Sequence, residues 1–473
     1  MRGSTVFLSI TLAIGASLAL SDGTSLARPA PGPIETGDVV ILNGQVFDGT
    51  GAPPIEDGLV AVRGERIVAV GPRGDFAVPE GAEVIDAGGG FIMPGVIDSH
   101  VHLYESVIAG FDVLTPWLRD GVTTVRDLGN CLTCVPIMRQ FIESVAEDPP
   151  RVVISGASIT SPGGPLSDNP TLGLVVSSEE EARAAVADML DNQGAALIKL
   201  YNPEMPLAMS QAIVEEAHAR GKRVSSHPDG LVSAIAAGVD DFAHPPFAEV
   251  TDEVLQQAAD QGIEMDSTLF GHPDPVLGRY RDLGGIVAMG TDVPPNGQPG
   301  CQLPVYEMRD MIDSGLTPNE VLVASTKTAA IVSNLGTELG TLEVGKIADI
   351  IVVDGDPLTD ISVMENVSLV MKGGRLVDLT PHPTHNQFTS AEPVGALPFD
   401  DTASFYCADR EEGEPAASCV GPEPRTVWYR LTPELNALII VDLTRPVLQV
   451  FDSAAFAVRV YAGPTLDSLT EVA

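Results

Sequence analysis

The sequence predicts an α/β protein: a (β/α)8 TIM barrel, a small β-sandwich domain formed from both flanks of the barrel, and a C-terminal all-β domain. Three observations lead there. Across residues 91–336, short apolar runs alternate with helical stretches in the rhythm of βαβ units. On either side, residues 38–90 and 337–380 read as short β-rich runs broken by Gly-containing turns. Side chains able to bind a metal then recur at the ends of the predicted barrel strands.

Taken in order, residues 1–27 read as a signal peptide. Arg2 is a minimal positive start, Val6 to Leu20 is an apolar run short for a membrane span, and Ser25-Leu26-Ala27 is a small-x-small cleavage site. An uncleaved membrane anchor is the alternative. The expected location is therefore secreted, periplasmic or at the cell surface, with no membrane contact after cleavage. Residues 28–37 form a Pro-rich linker. The sheet region that follows carries VVILNGQVFDG, GLVAVRGERIVAVG and AEVIDAGGG.

The barrel strands are predicted at 91–98, 122–127, 151–157, 196–201, 223–227, 239–244, 263–268 and 286–292. Helices are expected between them. Residues 177–193 open on Ser177 as a cap with acidic residues in the first turn, and 210–221 ends on a Gly stop. Strand-like patterning returns at Gly340 to Asp378 and is expected to join the first sheet. Residues 381–398 read as a linker and 399–473 as a separate β-rich unit.

The chain has 473 residues, 44% hydrophobic and 19% charged, which suits a large globular core and excludes a disordered chain. Its net charge of −39, from 65 acidic and 26 basic residues, argues against nucleic acid and anionic membrane as partners. A small molecule or small peptide is the expected partner, and a homo-oligomer is compatible with this composition. Cys407 and Cys419 bracket a polar loop and look like a pair. Cys131 and Cys134 form a lone C-x-x-C that reads as a disulfide, a redox pair or half a zinc site, with a small structural disulfide as the default. Cys301 is then left over.

The first barrel strand ends in Asp98-Ser99-His100-Val101-His102. Residues two apart in a strand point to one side, so His100 and His102 can face a single ion. Lys199 lies in the fourth strand, His227 ends the fifth, His244 the sixth and Asp292 the eighth. Of only eight His in the chain, four fall at strand ends that a barrel brings together. Read singly, each has a structural explanation: a packed His, a salt-bridged Lys, an Asp capping a turn. Tyr201 follows Lys199 by two residues and could hydrogen-bond a developing oxyanion or simply pack. His272 lies after the seventh strand on the face where substrate would meet the barrel. Thr291 is placed to position Asp292. His218 reads as a helix packing or C-terminal dipole residue, and His382 and His385 as solvated linker residues.

The run PGVIDSHVHL, then IKLY, SSHPDG, DFAHP and GTD, resembles the metal-dependent amidohydrolase superfamily, and GTLEVGKIADIIVVDGDPL resembles that family's return into its β-sandwich. VTTVRDLG and AAIVSNLGTELGTLEVGKIADIIVVD are in the style of its imidazolonepropionase-like and prolidase-like group. The resemblance covers roughly residues 38–380. It implies two divalent metal ions, with Zn²⁺ the best match to neutral His and anionic oxygen. His100 and His102 would bind the more buried ion, His227 and His244 the more exposed one. Lys199, carboxylated by CO2, would bridge both. Asp292 would bind the buried ion and act as general base, then acid, for a bridging hydroxide that attacks a carbonyl. An ammonium cannot ligate a cation, whereas a buried, neutral Lys amine can take up CO2 as a carbamate.

The implied function is hydrolysis of a C–N amide bond, of small peptides or N-acyl amino acids first and of cyclic amides next. The same centre would serve a lactonase, esterase or phosphotriesterase. A non-catalytic binding protein is the remaining reading, set against it by the presence of all six ligands. Two departures from the group fall in or near the substrate loops: Pro165 stands in SPGGPLSD where a His often follows two Gly, and Pro228 follows His227. The tail, through TVWYRLTP and VRVYAGPTLDSLTEVA, resembles the pre-peptidase-like β-sandwich found C-terminal to many secreted bacterial proteases, lacking one expected strand.

Overall fold

The computed structural model describes residues 32–104, 114–145, 149–203, 205–269, 271–293 and 304–379, and four short strands beyond them. The signal peptide 1–27, most of the linker and C-terminal unit, and Cys301, Cys407, Cys419, His382 and His385 lie outside the described residues. Among the described residues no helix is long and apolar enough to cross a membrane.

The chain first lays down β1 (Val39–Val46), β2 (Ile55–Arg63), β3 (Arg66–Pro72), β4 (Glu83–Asp86) and β5 (Phe91–Pro94). These runs are rich in Val and Ile, whose branched side chains pack well on a pleated surface. β2 and β3 form an antiparallel hairpin across Gly64-Glu65, where Gly64 takes the positive φ of 58° that a tight turn needs.

The barrel follows with β6 (Val96–Val101), β7 (Val122–Asp127), β8 (Arg151–Thr160), β9 (Gly173–Val175), β10 (Leu197–Leu200), β11 (Val224–Ser226), β12 (Asp241–Phe242), β13 (Glu264–Asp266) and β14 (Ile286–Ala288). Their order is β14-β13-β12-β11-β10-β8-β7-β6, all neighbours parallel, with β9 pairing β8 at the side. The ends meet where Ser99 N donates to Met289 O at 3.0 Å and His102 N to Val293 O at 2.7 Å. The result is a nearly closed eight-strand barrel.

Helices occupy the crossovers. Glu179–Ala187 is capped by Ser178, whose side chain accepts from Glu181 N, and three Glu sit in its first turn where the helix dipole favours them. The cap is thus Ser178, one residue after the expected Ser177. Pro318–Val323 opens with a full capping box from Thr317 and Glu320. The main apolar core joins strand residues such as Ile198, Val224, Phe242 and Met265 to helix residues such as Val214, Leu255 and Leu277. Burial of that shell drives the assembly. Inside the barrel the side chains are polar: Ser99, Arg126, Lys199, Ser225, Asp241 and Asp266 are all fully buried.

After the barrel, β15 (Ile350–Val353) runs antiparallel to β5, and β16 (Val367–Lys372) and β17 (Arg375–Leu376) extend the sheet. The order β17-β16-β15-β5-β1-β2-β3, with β4 on β1, shows one sheet made from both flanks of the barrel, as the sequence suggested.

One expected strand is two. Residues 91–98 divide at Gly95: β5 belongs to the outer sheet and β6 to the barrel. A β-carbon at Gly95 would come within 2.3 Å of Thr123, so only glycine lets the chain pass this close to β7.

Candidate metal centre

β6 delivers His100 at its end and His102 one residue beyond it, at the C-terminal rim of the barrel. His100 is fully buried, and His102 is half-buried. Their Nε2 atoms lie 3.3 Å apart, and Asp292 Oδ1 stands 3.3 Å from His100 Nε2 and 2.8 Å from His102 Nε2. These three residues form a group that could hold a metal ion. The ring of His244 is 4.7 Å from that of His100, and its Nδ1 is 3.9 Å from Asp292 Oδ2. His227 follows at 4.9 Å from His244, and Tyr201 stacks on His227 at 4.4 Å. Lys199 Nζ lies 5.7 Å from the centre of the Tyr201 ring. All six residues singled out as ligands therefore gather at one rim, together with Tyr201.

The orientation of these groups is set by the backbone and by buried carboxylates. His100 Nδ1 donates to Ala243 O at 2.8 Å. A carbonyl only accepts, so Nδ1 carries the proton and Nε2 turns its lone pair to the centre. Asp98 accepts from Thr291 N at 3.0 Å, from Thr291 Oγ1 at 2.6 Å and from His100 N at 3.2 Å. Thr291 thus positions Asp292 through Asp98. Asp292 itself adopts φ of 57°, a left-handed conformation that Asp and Asn tolerate better than most residues. Its N–H donates to His100 O at 2.7 Å, which folds it back over the first strand. His244 Nδ1 hydrogen-bonds Thr268 Oγ1 at 2.9 Å. Asp127, beside His102, accepts from Asn130 Nδ2 at 2.5 Å and Leu103 N at 3.3 Å.

Burial decides the charge states. Desolvation, reinforced by Lys199, pushes the His100 and His244 imidazoles far below their usual range and His227 down to about 3. All three are neutral near pH 7 and present lone pairs. Desolvation also lowers Lys199 to about 8, against the pull of Asp292, Asp241 and Asp266. Its Nζ is buried and has no hydrogen-bond partner among the described residues. Beneath it, Arg126 takes up the nearby carboxylates: it donates to Asp241 Oδ1 at 2.8 Å, Asp266 Oδ2 at 2.6 Å, Ser99 O at 2.5 Å and Val332 O at 2.9 Å. An orphaned buried amine beside neutral imidazoles and one carboxylate fits a divalent cation held by nitrogen and oxygen donors.

The remaining candidates stand apart. His272 is exposed and lies within electrostatic reach of Asp310. His218 Nε2 pairs with Asp240 at 2.9 Å on the outside of the barrel. Cys131 and Cys134 form a disulfide in the connection after β7. Sequence reasoning assigned no role to Asp98, Arg126, Asp127, Thr268 or Phe247. Arg126 left a signal, a lone cation in the apolar strand VTTVRD. Phe247, 64% exposed, has its ring 5.4 Å from His227 and 5.5 Å from His244.

Comparison with known proteins agrees with this geometry. The model of the amidohydrolase family matches residues 91–377. Imidazolonepropionase of Symbiobacterium thermophilum is 27% identical over 396 residues, 69% of this chain and 91% of that enzyme. Adenine deaminase 2 of Bradyrhizobium sp. is 25% identical over 72% of this chain, which spans only 58% of that protein. Among solved structures, a prolidase complexed with N-methylphosphonate-L-proline superposes with a TM-score of 0.61 at 25% identity, covering 72% of this chain and 99% of the other. The family match spans the barrel and the returning sheet strands and takes in every residue of the rim cluster; the chain belongs to the amidohydrolase family and is a metal-dependent hydrolase of that superfamily.

Proposed function

We propose that this protein is an exported, binuclear metal-dependent amidohydrolase that cleaves a C–N amide bond, of small peptides or N-acyl amino acids. One observation carries the proposal: Lys199, fully buried and without a hydrogen-bond partner at Nζ among the described residues, sits within the same rim cluster as His100, His102, His227, His244 and Asp292. A lysine that only stabilised the barrel would be paired with Asp241 or Asp266, and Arg126 already occupies both.

In this reading the four imidazoles, Asp292 and a carbamate formed on Lys199 would hold two divalent ions, Zn²⁺ being the best match to the donors. Such ions polarise a carbonyl and bring the pKa of water toward neutrality. Asp292 Oδ accepts the proton of the attacking water and returns it to the leaving nitrogen, so one carboxylate serves as base and then acid. Tyr201 keeps its hydroxyl proton, since burial raises it to about 12, and the phenol is a neutral donor for the oxyanion. Asp98 and Thr291 hold Asp292 in register.

The test is metal analysis of the purified protein followed by a screen of amides, lactones, esters and phosphotriesters. Amide turnover that is lost on chelation and restored by Zn²⁺ supports the proposal. Turnover confined to lactones, esters or phosphotriesters replaces the amide assignment. Export is checked separately by sequencing the N-terminus of the mature protein, expected to begin at Arg28.

A further inference from the structure

Thr268 stands in the segment that follows β13, with φ of 37°. A β-branched side chain crowds the backbone in this left-handed region, and few such residues occupy it. Its hydroxyl oxygen lies 2.9 Å from His244 Nδ1. Strain of this kind persists only where the surroundings over-determine it, and it gathers at functional sites.

Three successive N–H groups fix the segment. Ser267 N donates to Ala288 O and Thr268 N to Gly290 O, both at 2.9 Å. Leu269 N donates instead to Glu307, 2.9 Å from Oε1 and 3.2 Å from Oε2. Ser267 Oγ donates to the same Oε1 at 2.6 Å. Glu307 is fully buried and comes from the helix Val305–Asp313. Burying a carboxyl group is costly unless its oxygens are hydrogen-bonded, and these bonds bracket Thr268 on both sides.

The hydroxyl proton of Thr268 points to Ala243 O at 3.5 Å. The oxygen is therefore the acceptor toward the imidazole, and His244 Nδ1 carries the ring proton. Nε2 is then the lone-pair nitrogen, the form that a metal ligand needs. Ala243 O also accepts from His100 Nδ1 at 2.8 Å. One carbonyl thus fixes His100 directly and His244 through Thr268.

We propose that Glu307 is a positioning residue for the metal centre: by binding Ser267 Oγ and Leu269 N it holds Thr268 in its left-handed conformation, and Thr268 fixes the tautomer and direction of the His244 ring. This rests on the reading of His244 as a ligand of the more exposed ion, and deepens it. Glu307 acts through the segment it holds and takes no part in the chemical step.

Chelator competition on the full, Zn²⁺-loaded chain tests this with Glu307→Met, Glu307→Gln and Thr268→Val. Glu307→Met removes both acceptor oxygens and is expected to weaken one of the two ions about 10- to 100-fold while the other stays tightly held. Glu307→Gln keeps an oxygen at the Oε1 position and is expected to restore most of that affinity. Thr268→Val keeps the branched shape without the hydroxyl and is expected to match Glu307→Met. A second readout needs no metal: nitrogen-resolved histidine NMR spectra of the metal-free proteins. His244 is expected as a single Nδ1–H tautomer in the wild type and in Glu307→Gln, and as a mixture in Glu307→Met and Thr268→Val. Should Glu307→Met fail to fold, Ser267→Ala, which breaks one of the two bonds and keeps the carboxyl, takes its place with the same expected direction. Unchanged affinity for both ions across the series, or an unchanged His244 tautomer in Glu307→Met, overturns the proposal. A wild-type chain that binds fewer than two ions but shows the expected tautomer pattern removes the binuclear reading and leaves the role of Glu307 standing.

Discussion

Thr291 gives both of its donors to Asp98, the backbone N–H at 3.0 Å and the hydroxyl at 2.6 Å. This pair ties the segment that follows the last barrel strand to the first strand. Because Asp98 also accepts from His100 N, one buried carboxylate sets the positions of two candidate ligands, His100 and Asp292. Asp98→Asn is expected to weaken metal binding about 10- to 100-fold, the usual effect of losing a group that orients a ligand. Thr291→Val, which removes the hydroxyl alone, is expected to weaken it less. Titration with a competing chelator measures both, and metal affinity unchanged in Asp98→Asn would remove the clamp from the account.

Asp292→Asn separates proton transfer from folding. Asn tolerates the left-handed backbone at φ 57°, so the rim is expected to keep its shape. Turnover is expected to fall at least about a hundredfold through loss of acid–base help. Steady-state kinetics, read alongside circular dichroism, check this, and full activity would dismiss Asp292 as base.

Arg126 is a fully buried cation whose fork reaches Asp241, Asp266 and two carbonyls at once. Arg126→Met leaves two buried carboxylates without their partner, which costs on the order of 3–5 kcal/mol. Arg126→Lys is expected to rescue little, because one ammonium cannot match that geometry. Arg126→Met combined with Asp241→Asn and Asp266→Asn is expected to recover part of the loss. Denaturant unfolding midpoints across the four proteins give the answer.

Glu307 supplies a pH dependence. Burial raises it from an ordinary 4.5 to about 8, although Ser267 Oγ and Leu269 N donate to its ionised form. Between these values the folded protein keeps a proton that the unfolded chain has lost. The stability tied to that proton is full below pH 4.5 and is lost as pH rises through about 8. Glu307→Gln cannot titrate, so its stability relative to wild type is expected to improve steadily as pH rises from about 5 to 8.5. A difference independent of pH would show that Glu307 is ionised in the fold.

Much of this was legible in the sequence, and the exceptions have physical reasons. β7 was readable to the residue because VTTVRD is one β-branched run closed by turn residues on each side. The break at Gly95 was hidden because Phe91–Pro94 and Val96–Val101 are buried throughout, so the apolar pattern does not change where the chain leaves one sheet for the other. The metal-ligating candidates were legible as residue types at strand ends. Their supports were not: Asp98 and Thr291 are 193 positions apart and meet only when the barrel closes. Asp292 was expected to end a strand, yet β14 stops at Ala288 and Asp292 reaches the centre through a left-handed turn. Phe247 showed no signal, because an exposed ring beside two imidazoles is a property of the folded rim.

The central claim is that six rim side chains hold two divalent ions, with Lys199 carrying CO2 as a carbamate. Elemental analysis of wild type and Lys199→Ala, each equilibrated with Zn²⁺ and bicarbonate, tests it most directly. The account predicts two ions per wild-type chain and a clear loss in Lys199→Ala. Equal metal content in the two proteins, or a wild-type chain that retains none, would contradict it.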